Sequence, residues 1–260
     1  MDNTAPIGFF DSGLGGISVL RGTMALLPGE DYLYFGDSAH APYGVRPLEQ
    51  VRALSRAAVE HLLARGAKAI VIACNTATSA AAATLREAYP DVPVIGTEPA
   101  VKPAVERHPG GRILVMATAR TLQEQKFLDL WDQYRSRAEI VPVPCSGLME
   151  FVERGELRGA RLERFLGELL APFTARPVDA VVLGCTHYPF LRGVIRKALG
   201  QDAEILDGAE GVARQLRRRL QELDLCNPRT NGGRVEFENS LDGAQMPELS
   251  RLLLQYRIDP

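Results

Sequence analysis

The sequence predicts an α/β protein made of two similar three-layer units, each with a mostly parallel central sheet. Two observations carry this. Short apolar runs alternate with amphipathic stretches along most of the chain, as strands joined through crossover helices do. The chain also repeats itself loosely. KAIVIACNTATSA (68–80) and DAVVLGCTHYPFL (179–191) each run strand, cysteine, threonine, helix start, and IGFFDSGLGG (7–16) pairs with ILVMATARTL (113–122) at a similar offset. Two offsets of similar size point to two copies of one unit.

The expected strands, in order, are IGFF (7–10), YLYFG (32–36), AIVIA (69–73), PVIG (93–96), ILVMA (113–117), IVPV (140–143) and AVVLG (180–184). Each is a short run rich in β-branched or aromatic residues and bounded by turn formers. Between them VRALSRAAVEHLLARG (51–66) has apolar residues at helical spacing, and Gly66 is placed to end it. TATSAAAATLREAY (76–89) opens on threonines suited to capping and continues alanine-rich. LQEQKFLDLWDQY (122–134) and LERFLGELLAPF (162–173) are amphipathic at the same period, and RQLRRRL (214–220) reads as a solvated helix face.

Composition narrows the function. The chain has 260 residues, 46% hydrophobic and 24% charged, with a net charge of −2. Such a chain buries a real core and carries no basic field to draw it onto nucleic acid. No basic leader with an apolar run opens the sequence, and no run is long enough to span a bilayer, so a soluble cytoplasmic protein is expected. The four cysteines form neither CxxC nor a metal-ligand spacing, so they read as free thiols. GLGG (13–16) completes neither a dinucleotide fingerprint nor a phosphate loop with its lysine. Its glycines read as letting backbone N–H groups approach a small anion.

Ligands of open α/β sheets sit beyond the carboxyl ends of the strands. DSG (11–13), GDS (36–38), CNT (74–76) and CTH (185–187) all fall there, and in two facing units they can line one cleft. Cys74 and Cys185 each follow an apolar strand and precede hydrogen-bonding residues, Asn75 and Thr76 in one case, Thr186 and His187 in the other. A buried core cysteine is the plainer reading of either alone. Metal binding wants more ligands, thiol–disulfide chemistry wants CxxC, and a Cys185–His187 nucleophile leaves Cys74 idle. A pair of acid–base thiols on opposite faces of a substrate carbon suits a duplicated scaffold better. Asp11 is a turn aspartate or a group that orients Cys74, and His187 has the matching place beside Cys185. Cys145 and Cys226 read as structural, and His40, His61 and His108 as surface or helix residues.

FFDSGLGGISVL (9–20), YFGDSAHAPYG (34–44), ACNTATSAA (73–81), IGTEPAVKPA (95–104), CSGLMEFVERGEL (145–157), LGCTHYPFL (183–191) and DGAEGVARQLRRRL (207–220) together resemble the cofactor-independent aspartate/glutamate racemases. The resemblance covers nearly the whole chain. It implies interconversion of L- and D-glutamate without metal or pyridoxal phosphate, supplying D-glutamate for peptidoglycan. Cys74 would act on the D-glutamate face and Cys185 on the L-glutamate face. Asp11 would assist Cys74, His187 would assist Cys185, and Glu153 is a further acid–base or orienting candidate. Ser12, Pro42, Tyr43, Gly44, Asn75, Thr76 and Thr186 match positions that hold the substrate. The implied domains are 1–97 with 208–260, and 98–207, with the active-site cleft between them, and a homodimer is implied. His40, Ser146 and Ala119 depart from the commonest pattern without removing a proposed catalytic group. Racemisation of aspartate or another small amino acid, or a non-catalytic amino-acid-binding or protein-inhibiting role, are the alternative readings.

Overall fold

The computed structural model describes residues 2–200 and 202–258. They form two compact units, residues 2–98 with 209–255, and residues 99–200 and 202–208 with 256–258. The C-terminal segment is thus divided, and its last described residues belong with the second unit.

The first unit begins β1 (Ile7–Asp11), α1 (Ile17–Leu26), β2 (Tyr32–Gly36), α2 (Leu48–Ala64), β3 (Ala69–Ile72), α3 (Asn75–Ala88) and β4 (Val94–Gly96). The second comprises α4 (Val101–Arg107), β5 (Arg112–Ala117), α5 (Ala119–Gln123), α6 (Gln125–Tyr134), β6 (Glu139–Pro144), α7 (Met149–Glu153), α8 (Ala160–Leu170), β7 (Ala180–Leu183), α9 (Arg192–Leu199) and β8 (Glu204–Asp207). The chain then returns to the first unit through α10 (Ala209–Glu222), β9 (Val235–Asn239) and α11 (Gln245–Gln255).

Both sheets are parallel throughout, as fully buried strands flanked by helices require. The strand orders are β4-β3-β1-β2-β9 and β6-β5-β7-β8. Read from its other edge, the second sheet runs β8-β7-β5-β6 and falls into step with β4-β3-β1-β2. So β5 stands where β1 does, and β7 where β3 does. In each unit the chain leaves the central strand toward one neighbour and returns to the other. That makes a topological switch point between β1 and β3, and another between β5 and β7.

Side chains alternate across each strand, and helices cover both faces. In the first unit Phe10, Leu33, Ile70 and Ile72 pack against Val59 and Leu62 of α2 and the alanines of α3. Ala77, Ala80, Ala81 and Ala82 are all buried, so α3 lies close to the sheet. On the opposite side α1 packs against α10 and α11. In the second unit Ile113, Val115 and Val182 pack against Val101 and Val105 of α4 and Phe127 and Tyr134 of α6, while α8 packs against α9.

All seven expected strands are present. β8 and β9 lay outside the expectation, because acidic residues interrupt their apolar runs. β9 is a partly exposed edge strand, so its sequence, VEFEN, lacks an unbroken apolar run. The helix expected over 122–134 is interrupted at Glu124, whose backbone is extended (φ −70°, ψ 141°). The segment 162–173 ends as a 3₁₀ turn at 171–173, where Pro172 removes a donor. Gly66 follows α2 at φ +84°, the left-handed position expected of it. Among the described residues no helix is long and apolar enough to cross a membrane.

Candidate active site

Register brings the first set of residues together. Phe10 pairs with Ile72, and Ala73 N donates to Phe10 O at 2.8 Å. One step further, Ser12 comes level with Cys74, whose thiol donates to Ser12 Oγ at 3.6 Å. Gly16 is what lets α1 start so close. A Cβ there would meet Ala73 Cβ and Asp11 Cβ at 2.8 Å and Tyr34 Oη at 3.0 Å. The glycines do not present free amides to an anion as expected at Gly13. Its N–H donates to Asp11 Oδ1 at 2.9 Å, and its carbonyl accepts from Tyr34 Oη at 2.9 Å.

Capping of α3 also differs from expectation. Cys74 itself is the N-cap, its sulfur accepting from Ala77 N at 3.4 Å, so the helix start holds the thiol directly. A positive helix end favours a thiolate in that place. Thr78 instead donates to Ile72 O and accepts from Thr97 N, which ties the helix to the ends of β3 and β4. Asn75 and Thr76 are buried beside the thiol, and Asn75 Oδ1 has no hydrogen-bond partner among the described residues. An acceptor in that condition is open to a donor from water or from a ligand.

Pro42, Tyr43 and Gly44 lie in the loop after β2. Tyr43 is buried, and its hydroxyl donates to Asp37 Oδ2 at 2.6 Å. Burial pushes the Tyr43 phenol far above its usual range, with the Asp37 hydrogen bond and the charges of Asp37, Cys74 and Asp11 adding to it. It is therefore a neutral donor. Asp37 was not among the expected site residues, although its place directly after an apolar strand, in GDS, is the same signal that marked Asp11. His40 is half-exposed and pairs with Asp37 at 2.8 Å. His61 is likewise at the surface, paired with Glu238.

The second unit repeats the pattern with different partners. Met116 pairs with Leu183, and Gly184 N donates to Met116 O at 2.7 Å, the counterpart of the Ala73–Phe10 bond. Thr118 is thereby level with Cys185 as Ser12 is with Cys74, a correspondence the loose repeat contained but that was not drawn from it. No α-helix starts at Cys185, contrary to expectation. A 3₁₀ turn over Tyr188–Leu191 comes first, so this thiol relies on side chains.

Those side chains are His187 and Glu153. Neighbours two apart need not face each other, yet here the turn brings His187 Nδ1 to 3.5 Å from Cys185 Sγ. Its Nε2 lies 2.6 Å from Glu153 Oε1 at the end of α7. Burial by itself would lower the imidazole's proton affinity, but hydrogen bonds and charges from Cys185 and Glu153 raise it well above the usual histidine range. His187 therefore holds a proton more firmly than a free imidazole does, between the Cys185 sulfur and the Glu153 carboxyl. Thr186 is buried between Cys185 and His187 in sequence. Among the described residues no group of three or more His, Cys, Asp or Glu side chains is arranged to hold a metal ion.

A family model for Asp/Glu/hydantoin racemases matches residues 17–216. The glutamate racemase of Clostridium perfringens (strain ATCC 13124) is 50% identical over 253 residues, 97% of each chain. The crystal structure of glutamate racemase from Francisella tularensis subsp. tularensis SCHU S4 in complex with D-glutamate superposes with a TM-score of 0.83 at 28% identity, covering 99% of this chain and 96% of that one. Escherichia coli glutamate racemase in complex with L-glutamate and the activator UDP-MurNAc-ala superposes with a TM-score of 0.82 at 28% identity, covering 95% of each chain.

Proposed function

The chain belongs to the Asp/Glu/hydantoin racemase family, and from that premise we propose that it interconverts L- and D-glutamate by proton transfer between Cα and two thiols, Cys74 and Cys185. The observation that carries the mechanism is their equivalence. Each thiol stands at the carboxyl end of the same strand of a duplicated sheet, at a switch point, with its own supporting groups.

The chemical difficulty is the weak acidity of a Cα–H beside a carboxylate that is already negative. In our reading one thiolate removes the proton from one face, the other thiol delivers a proton to the opposite face, and the stereocentre inverts. From L-glutamate Cys185 is the base and Cys74 the acid, and from D-glutamate the roles exchange. The His187 imidazolium, held by Glu153, stabilises the Cys185 thiolate. Cys74 draws on the start of α3 and on the Ser12 hydroxyl, and Asp11, at the end of β1, is its assisting acid in this reading. Asn75 Oδ1 accepts from the substrate ammonium, while Thr76, Thr186 and the Pro42–Tyr43–Gly44 loop hold the substrate in place. Hydroxyl and N–H donors stabilise the enediolate-like charge that develops on the carboxylate. The D-glutamate formed is assigned to peptidoglycan synthesis, in a cytoplasmic homodimer.

The substrate is tested by incubating the purified protein with L-glutamate, D-glutamate and each enantiomer of aspartate, following optical rotation. Both glutamate enantiomers are expected to reach the racemic mixture, with aspartate turned over at least about 100-fold more slowly, the discrimination open to a site whose polar groups go unpaired with the wrong substrate. Faster turnover of aspartate would replace the substrate assignment, and binding of glutamate without inversion would replace the enzymatic one.

A further inference from the structure

We propose that the cleft between α7 and α8 of the second unit is a binding site for a zwitterionic amino acid with a large apolar side chain. Neither Cys74 nor Cys185 lines this cleft, so the assignment stands or falls apart from the two-thiol reading.

Helical spacing builds one wall. Leu162, Leu166 and Leu170 are the buried stripe of α8, while Arg161, Arg164, Phe165 and Glu168 recur at i, i+3, i+4 and i+7 and share another face. Phe165 is the one apolar ring on that charged stripe. It is half-buried against Phe151 of α7, with ring centroids 5.3 Å apart. Gly147 lies at the edge of the same ring, where even a Cβ would approach to 3.5 Å, so a side chain there would fill the space beside Phe165. The cleft encloses about 400 Å³, within the range of small-molecule sites, and combines aromatic walls with a few charged groups as they do.

Those charged groups carry both signs. Glu156 accepts from Arg154 Nε at 2.7 Å and from Arg161 at 3.1 and 3.2 Å. Both guanidinium carbons also lie over the Phe151 ring, 5.4 and 5.3 Å from its centroid, so the two cations are held by a carboxylate and an aromatic face. A guanidinium has five N–H donors, and each keeps some for a ligand. Arg164 makes no ion pair among the described residues. The acceptors are Glu150 and Glu168, and Glu150 Oε2 has no hydrogen-bond partner among the described residues. A simple anion would leave these two carboxylates unpaired, and a simple cation would face three guanidiniums. A zwitterion answers both, with its carboxylate on the arginines, its ammonium on Glu150 or Glu168 and its side chain along Phe165.

The test is equilibrium dialysis of the full chain against radiolabelled L-phenylalanine. Saturable binding is expected, and excess L-glutamate should leave it in place. Unlabelled 3-phenylpropanoate, which lacks the ammonium, phenethylamine, which lacks the carboxylate, and alanine, which lacks the ring, should each compete at least about 10-fold more weakly than phenylalanine itself. Arg164 is exposed on α8, so Arg164→Glu should fold as wild type does, keep its activity on glutamate and bind phenylalanine about 10- to 100-fold more weakly, as for a lost hydrogen bond between charged groups. Absence of saturable binding would overturn the inference. So would displacement by L-glutamate or unchanged binding in Arg164→Glu, either of which would put the bound amino acid elsewhere, and so would 3-phenylpropanoate competing as well as phenylalanine. Full racemase activity in Cys185→Ala would instead overturn the two-thiol reading and leave the dialysis result untouched.

Discussion

Glu153 Oε1 lies 2.6 Å from His187 Nε2, and in the proposed mechanism it acts on Cys185 through that imidazole. Replacing the glutamate by glutamine keeps an acceptor for Nε2 and removes the charge that holds the imidazolium. Hydrogen bonds to charged groups contribute about 1.5–3 kcal/mol, so Glu153→Gln should lower kcat/KM roughly 10- to 100-fold. The fall must be equal in the two directions, because enantiomers have equal free energy in achiral water. Asymmetry is expected in kcat and KM separately, with kcat from L-glutamate, where Cys185 is the base, reduced more. Stability follows the same group. The native partners of His187 raise its proton affinity, so their contribution is full below the ordinary histidine pKa and fades as pH rises through the raised native value. Urea midpoints of wild type and Glu153→Gln should therefore differ more at pH 6 than at pH 9. A gap that widens toward pH 9 would contradict the assigned charge state.

The loops that carry the site owe their positions to close packing of small residues on the element ends. Gly16→Ala keeps an ordinary helical backbone but drives a methyl into Ala73, Asp11 and Tyr34. Overpacking of this kind costs about 1–3 kcal/mol, and here it pushes Asp11 and Ala73, the neighbour of Cys74. Gly16→Ala should lower both thermal stability and kcat, and unchanged activity would show that this packing does not set the site. It was at this scale that the sequence was most legible. Apolar runs marked every central strand, and polar residues just past them marked Asp11, Cys74 and Cys185. The edge strand VEFEN was lost because its burial is partial and exposed positions need not be apolar. Asp37, in the GDS loop expected at a strand end, was given no role, and Thr118 was missed, because strand order and register decide which ends meet. The capping role of Cys74 was missed because threonines are the commoner caps.

Across the whole molecule, the return of the chain to its first unit needs an anchor, and a buried ion pair supplies one. Lys68 Nζ meets Glu30 Oε2 at 2.5 Å with both side chains almost fully enclosed. Glu30 Oε1 accepts from Asn227 N at 2.8 Å, in the returning segment, and Lys68 Nζ also donates to Asn3 O. Removing one member of such a pair costs about 3–5 kcal/mol, because the other charge stays buried alone. Lys68→Met should lose that much by urea unfolding, and a loss within about 0.5 kcal/mol would show the pair to be dispensable. The central claim, that each copy of the duplicated unit contributes one acid–base thiol, is tested most directly in D2O. Cys74→Ala and Cys185→Ala are each incubated with each glutamate enantiomer, and inversion and deuterium entry at Cα are followed by optical rotation and NMR. The account predicts that wild-type protein inverts both enantiomers with deuterium entering Cα, and that each single variant loses inversion. Full racemisation by either variant would contradict it.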